Sequence, residues 1–209
     1  MLDERDAAHA HLLAAGGPMA ALVAEHGPVD PYVWDGIPLE AGDRLGGLAL
    51  HITAQQISVV AALAIWGRFL TLLGGRVRAP ALAAATDEEL RGVGMSGAKS
   101  RALRELGAAV VAGDFDPDGL AHLDDDEAQA RLVELRGIGP WSAQMFLLHE
   151  LRRPDVFPAG DVGLRTALGR LEGLATPPTQ PETVALALRW APYRSYAAAH
   201  LWRSLQPAP

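Results

Sequence analysis

Cysteine is absent from these 209 residues, which excludes disulfides, zinc–thiolate sites and iron–sulfur clusters. Strand signals are nearly absent as well, since β-branched alternation never persists along the chain. The first residues, MLDERDAAHAH, lack the apolar run of a signal peptide, so none is expected. Charge disappears over Leu45–Gly67, which holds no Lys, Arg, Asp or Glu and is long enough to span a bilayer. His51, Thr53, Gln55, Gln56 and Ser58 interrupt that run and would be costly in hydrocarbon. Two core helices joined by a tight polar turn are expected there, in a cytoplasmic protein with no membrane partner.

Apolar residues make up 49% of the chain and charged residues 21%, the balance of a globular protein rather than a disordered one. The net charge of −7 argues against a generic polyanion binder. That charge is unevenly spread, however. Residues 1–135 hold 10 Lys/Arg against 20 Asp/Glu, whereas 136–209 hold 8 against 5. A nucleic-acid surface would therefore lie in the carboxyl-terminal part, helped by local patches such as Arg91–Lys99–Arg101–Arg104. A merely solvated charge pattern explains the same numbers.

Helix signals recur throughout. Thr86-Asp-Glu-Glu89 is a capping box ahead of Leu90, and Asp124–Glu127 is an acidic helix start ahead of Leu132. Thr179-Gln-Pro-Glu182 repeats the box with Pro181 in the first turn. Pro192 is expected to begin a last amphipathic helix carrying Tyr196, His200 and Trp202, with Pro207–Pro209 as a short tail. Trp66 and Trp190 read as core. Tyr193 and Tyr196 stay open between core and site. His51, His149 and His200 sit on apolar faces and read as core or boundary residues, with no metal assigned to side chains.

The chain also repeats itself. Leu90-Arg-Gly-Val-Gly94 and Leu135-Arg-Gly-Ile-Gly139 match almost residue for residue, each between an acidic helix and another helix. A Gly-x-Gly turn opening a helix aims main-chain N–H groups at an anion, typically a phosphate, but it serves equally as a plain helix C-cap. The second copy is the stronger signal, because Pro140 suits a first helical turn. Behind it, past a Pro-Ala-Gly loop, stands Asp161. An Asp at a helix start is more often an N-cap than a catalyst.

LVELRGIGPWSAQMFLL, DVFPAGDVGLRTAL and RWAPYRSYAAAHLW, preceded by HITAQQIS and LRGVGMSGAKSRAL, together resemble the helix-hairpin-helix (HhH-GPD) DNA glycosylases of the 3-methyladenine DNA glycosylase II type. The resemblance runs from about Leu45 to Trp202, with motif order and spacing in agreement. It implies an all-α, two-lobed fold with a DNA-binding cleft between the lobes, a single module over 1–209. One lobe is expected at 45–150, with the hairpin at 135–140, and the other at 1–44 plus 151–209. The roughly 40 residues ahead of the match are too few for the amino-terminal β-domain of longer members.

The resemblance further implies removal of alkylated bases such as 3-methyladenine and 7-methylguanine from flipped-out nucleotides. It makes Asp161 the catalytic carboxylate, places Trp141, Trp202, Met145 and Val162 around the base, and sets Gln56, or else Gln55, as the wedge; by themselves Trp202 reads equally as core packing and either glutamine as a helix cap. Gly137, Ile138 and Gly139 become the backbone grip, with Arg136, Arg165 and Arg194 as phosphate contacts; an exposed arginine is otherwise a solvated one. Family members that cut the strand carry a lysine where Trp141 stands, and Lys99 is the only lysine here, so base removal without a lyase step is expected. No organic cofactor is expected, though a cation held by hairpin carbonyls fits the family pattern. The partner is double-stranded DNA, and the lack of coiled-coil heptads favours a monomer. A non-catalytic helix-hairpin-helix DNA-binding module, and a glycosylase for a mispaired or oxidised base, are the alternatives.

Overall fold

The computed structural model describes residues 3–33 and 42–206; Pro207–Pro209, read above as a tail, lie outside them. Among the described residues every regular element is helical: α1 (Glu4–Ala14), α2 (Gly17–His26), α3 (Arg44–Ala54), α4 (Val59–Leu72), α5 (Ala79–Ala84), α6 (Asp87–Gly92), α7 (Gly97–Ala112), α8 (Asp125–Val133), α9 (Pro140–His149), α10 (Val162–Leu171), α11 (Gln180–Ala187) and α12 (Arg194–Arg203), with two short 3₁₀ turns. The chain divides into two compact units, Met1–Val33 with Arg152–Pro209, and Trp34–Leu151. No described helix is long and apolar enough to cross a membrane.

Local chemistry sets most helix starts. Thr86, Asp124 and Thr179 each accept from the N–H three residues on, while Glu89, Glu127 and Glu182 return the bond, giving three complete capping boxes. Asp43, Ser58 and Ser96 cap α3, α4 and α7 in the same sense. The charge-free run resolves into α3 and α4 around the turn Gln55–Ser58, as its polar middle requires.

In the first unit, α12 packs against α1, α2 and α10. Leu12, Val23, Leu164, Leu168, Trp190 and Leu201 belong to its core. Two expectations about α12 are corrected here. It starts at Arg194 and not at Pro192, because its first donors are claimed from a distant loop: Asp155 Oδ1 accepts from Arg194 N (3.1 Å) and Pro154 O from Ser195 N (3.0 Å). It is also not amphipathic, since Ser195 through Leu201 are buried without a break and small alanines let neighbours close in on every side.

In the second unit, α7 packs along α5 and α3, and α9 along α3 and α8. Trp66 and Phe69 of α4 are fully buried. At Gly107 of α7 an added Cβ would lie 2.6 Å from Ala83 N and 3.0 Å from Ala79 O. The α5 backbone therefore occupies the space a side chain would need.

Candidate functional site

The two sequence repeats share letters but not conformation. At the first, Gly94 takes φ +107°, Met95 N–H donates to Leu90 O and Gly94 N–H to Arg91 O, a Schellman ending that spends the turn on closing α6. At the second, Gly137 takes φ +81°, Ile138 N–H donates to Leu135 O, and Gly139 is already the extended N-cap of α9. Ile138 is buried and pins the turn, whereas Gly137 and Gly139 are exposed on either side of it. A Cβ at Gly137 would meet Ala102 of α7 at 2.9 Å, so glycine is required there by space as well as by backbone sign. The 135–140 turn thus offers exposed main chain at a helix start.

The α3–α4 turn is tied to this hairpin. Gln55 Nε2 donates to Gly137 O at 2.7 Å and to Ser142 Oγ at 3.0 Å. The amide of Gln55, the alternative wedge, is thus bonded to the hairpin. Gln56, the next residue, is exposed and takes φ +57°, a left-handed conformation that a non-glycine residue adopts only at a cost. Trp141 is half-buried in the first turn of α9, and Met145, one turn on, is buried.

In the other unit, Asp161 is the N-cap of α10 and half-buried. Its Oδ1 accepts from Leu164 N–H at 2.7 Å and from the Trp202 indole Nε1–H at 3.1 Å. Trp202 packs on the edge of the core while turning its N–H to the carboxylate. Gly163 leaves room for that arrangement, since a Cβ there would stand 3.2 Å from Asp161 Oδ1 and 3.4 Å from Leu205. Val162 is 73% exposed beside Asp161.

The arginines divide. Arg194 forks both oxygens of Asp155 at 2.8 and 2.9 Å, so its guanidinium secures the start of α12. Arg165 Nε holds Pro178 O, and Arg136 forms an exposed ion pair with Glu105. The patch Arg91–Lys99–Arg101–Arg104 is likewise not a continuous basic surface. Arg104 pairs with Asp87, and Lys99 Nζ is turned onto the carbonyls of Thr53 and Gln55, both at 2.8 Å. Burial of Lys99 lowers its pKa.

His51 and His200 are both 1% exposed, and burial first, then neighbouring histidines, pushes each pKa down to about 3. Tyr196 is buried with its hydroxyl on Glu4 Oε1, whereas Tyr193 stands half-buried at the start of α12. Glu150, behind α9, is pushed up to about 7 by burial and then by Asp43, with Arg44 opposing. No group of three His, Asp or Glu side chains suited to a metal occurs among the described residues.

The sequence pattern of the HhH-GPD superfamily base excision DNA repair proteins matches residues 50–192. The chain belongs to this superfamily. A DNA-3-methyladenine glycosylase of Bacillus subtilis is 28% identical over 181 residues, covering 81% of this chain and 58% of the relative. A 3-methyladenine DNA glycosylase of Schizosaccharomyces pombe, solved in complex with abasic DNA, superposes with a TM-score of 0.87 at 27% identity, over 97% of this chain and 98% of that one. A DNA-3-methyladenine glycosidase of Bacillus halodurans gives 0.78 at 29% identity, over 94% and 88%. The chain spans 56% and 58% of the length of the two Bacillus subtilis relatives it matches.

The HhH-GPD match contains the α3–α4 turn, the hairpin and Asp161, but ends before Trp202. Sequence reasoning missed Ser142, Gly163 and the task of Lys99. A small residue two positions after Asp161 was the available signal for Gly163. Nothing local marks the other two, whose partners lie 87 and 46 residues away.

Proposed function

We propose that this chain is a monofunctional DNA glycosylase that flips an alkylated base such as 3-methyladenine or 7-methylguanine out of duplex DNA and hydrolyses its N-glycosidic bond. The observation that carries the reading is Asp161, held by two donors on one oxygen at a helix start, in a chain that belongs to the HhH-GPD superfamily. Breaking the bond leaves positive charge on the sugar, which a carboxylate at that point stabilises while a water adds to the sugar carbon and gives up a proton. The alkylated base is already cationic and departs as a neutral molecule without a strong general acid. Beside Asp161, Trp202 supplies an electron-rich face that favours a cationic base, and Val162 offers an exposed apolar one.

The hairpin would grip the phosphate backbone through its main chain, with Gln56 filling the gap left by the flipped base. A cation there would be held by main-chain carbonyls, among which Gly137 O already accepts the Gln55 amide. No organic cofactor enters the reaction. The enzyme acts as a monomer in the nucleoid. Lys99 supports the absence of a lyase step, because its amine is bonded to two carbonyls of the second unit.

Release of methylated bases from alkylated duplex DNA, with products identified by mass, tests the reading. Wild type should release 3-methyladenine and leave intact strands with abasic sites, and Asp161→Asn should bind but release none. Strand breaks without heat or alkali would remove the monofunctional assignment. Release by neither protein would remove the catalytic one.

A further inference from the structure

Lys99 stands in the first turn of α7, the end at which a positive charge is disfavoured by the helix dipole. Its side chain leaves that helix and donates to Thr53 O and Gln55 O, both at 2.8 Å. The last carbonyls of a helix have no partners within it, and a cation at that end interacts favourably with the dipole. The lysine therefore sits badly for its own helix and well for α3. Gln55, whose main chain Lys99 holds, uses its own side chain to hold Gly137 O and Ser142 Oγ. The two sets of bonds run in series through one residue, from α7 through the end of α3 to the hairpin. Gln56, immediately after Gln55, keeps its left-handed φ of 57° and its exposure in the segment so anchored.

We infer that Lys99 and Gln55 are positioning residues which keep the wedge turn around Gln56 in register with the hairpin, so that one grips the DNA backbone where the other enters the stack. The inference rests on the proposed glycosylase reading for the duties of Gln56 and the hairpin. Two elements that act on the same few nucleotides must be held to well under an ångström, and small misplacements cost about a hundredfold in rate. Both act through the turn and the hairpin of their own unit. Gln55 is the clamp, and Lys99 is its support.

The test compares Lys99→Met, Gln55→Met, the double variant and Lys99→Arg with wild type. Three quantities are read: thermal midpoint, affinity for abasic duplex DNA, and single-turnover release of 3-methyladenine at saturating enzyme. Each methionine variant should weaken duplex binding and slow single-turnover release by about tenfold or more, with the thermal midpoint within a few degrees of wild type. The double variant should be no slower than the worse single one, because the bonds act in series. Lys99→Arg, which keeps the charge and the donors, should recover most of the loss. Wild-type binding and release in both single variants, or losses that simply multiply in the double one, would overturn the inference. If Lys99→Met does not fold, Gln55→Met alone decides it by the same readings. If wild type releases no base, the glycosylase reading fails, and the duplex affinities of the same variants still decide whether the clamp sets the DNA-gripping surface.

Discussion

Asp161 Oδ1 accepts from both the Leu164 N–H and the Trp202 indole, so its stability role and the catalytic role proposed for it can be separated by choice of variant. Asn is as good an N-cap as Asp, so Asp161→Asn should unfold within roughly 0.5 kcal/mol of wild type while losing base release. Trp202→Phe keeps an aromatic face but removes the N–H and part of the indole's volume. It should lower single-turnover base release by about tenfold and cost about 1–3 kcal/mol in urea unfolding, one hydrogen bond plus the packing lost at the edge of the core. A loss confined to stability would make Trp202 a core residue only. Glu150 carries a prediction of another kind. Its pKa is pushed up to about 7 in the folded chain, against an ordinary value of 4.5 when unfolded. Between those values the folded state holds more protons, so this group's contribution is present below about pH 4.5 and is lost as pH rises through 7. His51, pushed down to about 3, works in the opposite sense, favouring the folded state above its ordinary 6.5 and losing that as pH falls. Measuring Glu150→Gln against wild type isolates the first effect. The variant should match wild type near pH 4 and be more stable at pH 8 by on the order of 1–3 kcal/mol in urea unfolding.

Among the helices, those whose starts are written in adjacent residues are where sequence and structure agree. The boxes at Thr86, Asp124 and Thr179 each close within three residues, and their threonine or aspartate and glutamate are visible in the chain. The start of α12 was misplaced for the opposite reason, its donors being taken by Pro154 and Asp155, about 40 residues earlier. The two glycine repeats make the same point within one motif. Identical spacing closes α6 at one site and opens α9 at the other, and the difference lies in which glycine turns left-handed. Close packing of α5 on α7 at Gly107 gives a prediction at this scale. Helix propensity alone would make Gly107→Ala stabilising by about 1 kcal/mol. The Cβ would instead meet Ala83 N at 2.6 Å, a main-chain atom that cannot swing aside. The variant should be destabilised by about 1–3 kcal/mol, the usual range for overpacking, and equal or greater thermal stability would refute the close approach.

At the level of the whole chain, an overall charge of −7 coexists with a carboxyl-terminal part in which basic residues outnumber acidic ones. Several arginines of that part are already engaged, Arg194 by Asp155, Arg189 by Glu172 and Arg136 by Glu105. Duplex binding should therefore neutralise few phosphates and rely on the main chain of the hairpin for the rest. The slope of log affinity against log salt should be shallow, about −2 to −5 by titration from 50 to 200 mM, and a slope near −10 would contradict this.

From sequence alone came the helical class, the core tryptophans Trp66 and Trp190, the polar turn between α3 and α4, the hairpin, and Asp161 as a cap. All of these rest on patterns confined to one helix or one turn, where chain connectivity already brings the partners together. Tertiary structure alone decided that Trp202 faces Asp161, that Arg194 belongs to Asp155, that Gln55 clamps Gly137, and that Lys99 supports α3 in place of a basic patch. Tyr196 reaching Glu4 across 192 residues is the extreme case. A hydrogen bond between distant residues leaves no period or spacing in the chain, because folding and not connectivity sets its two ends side by side.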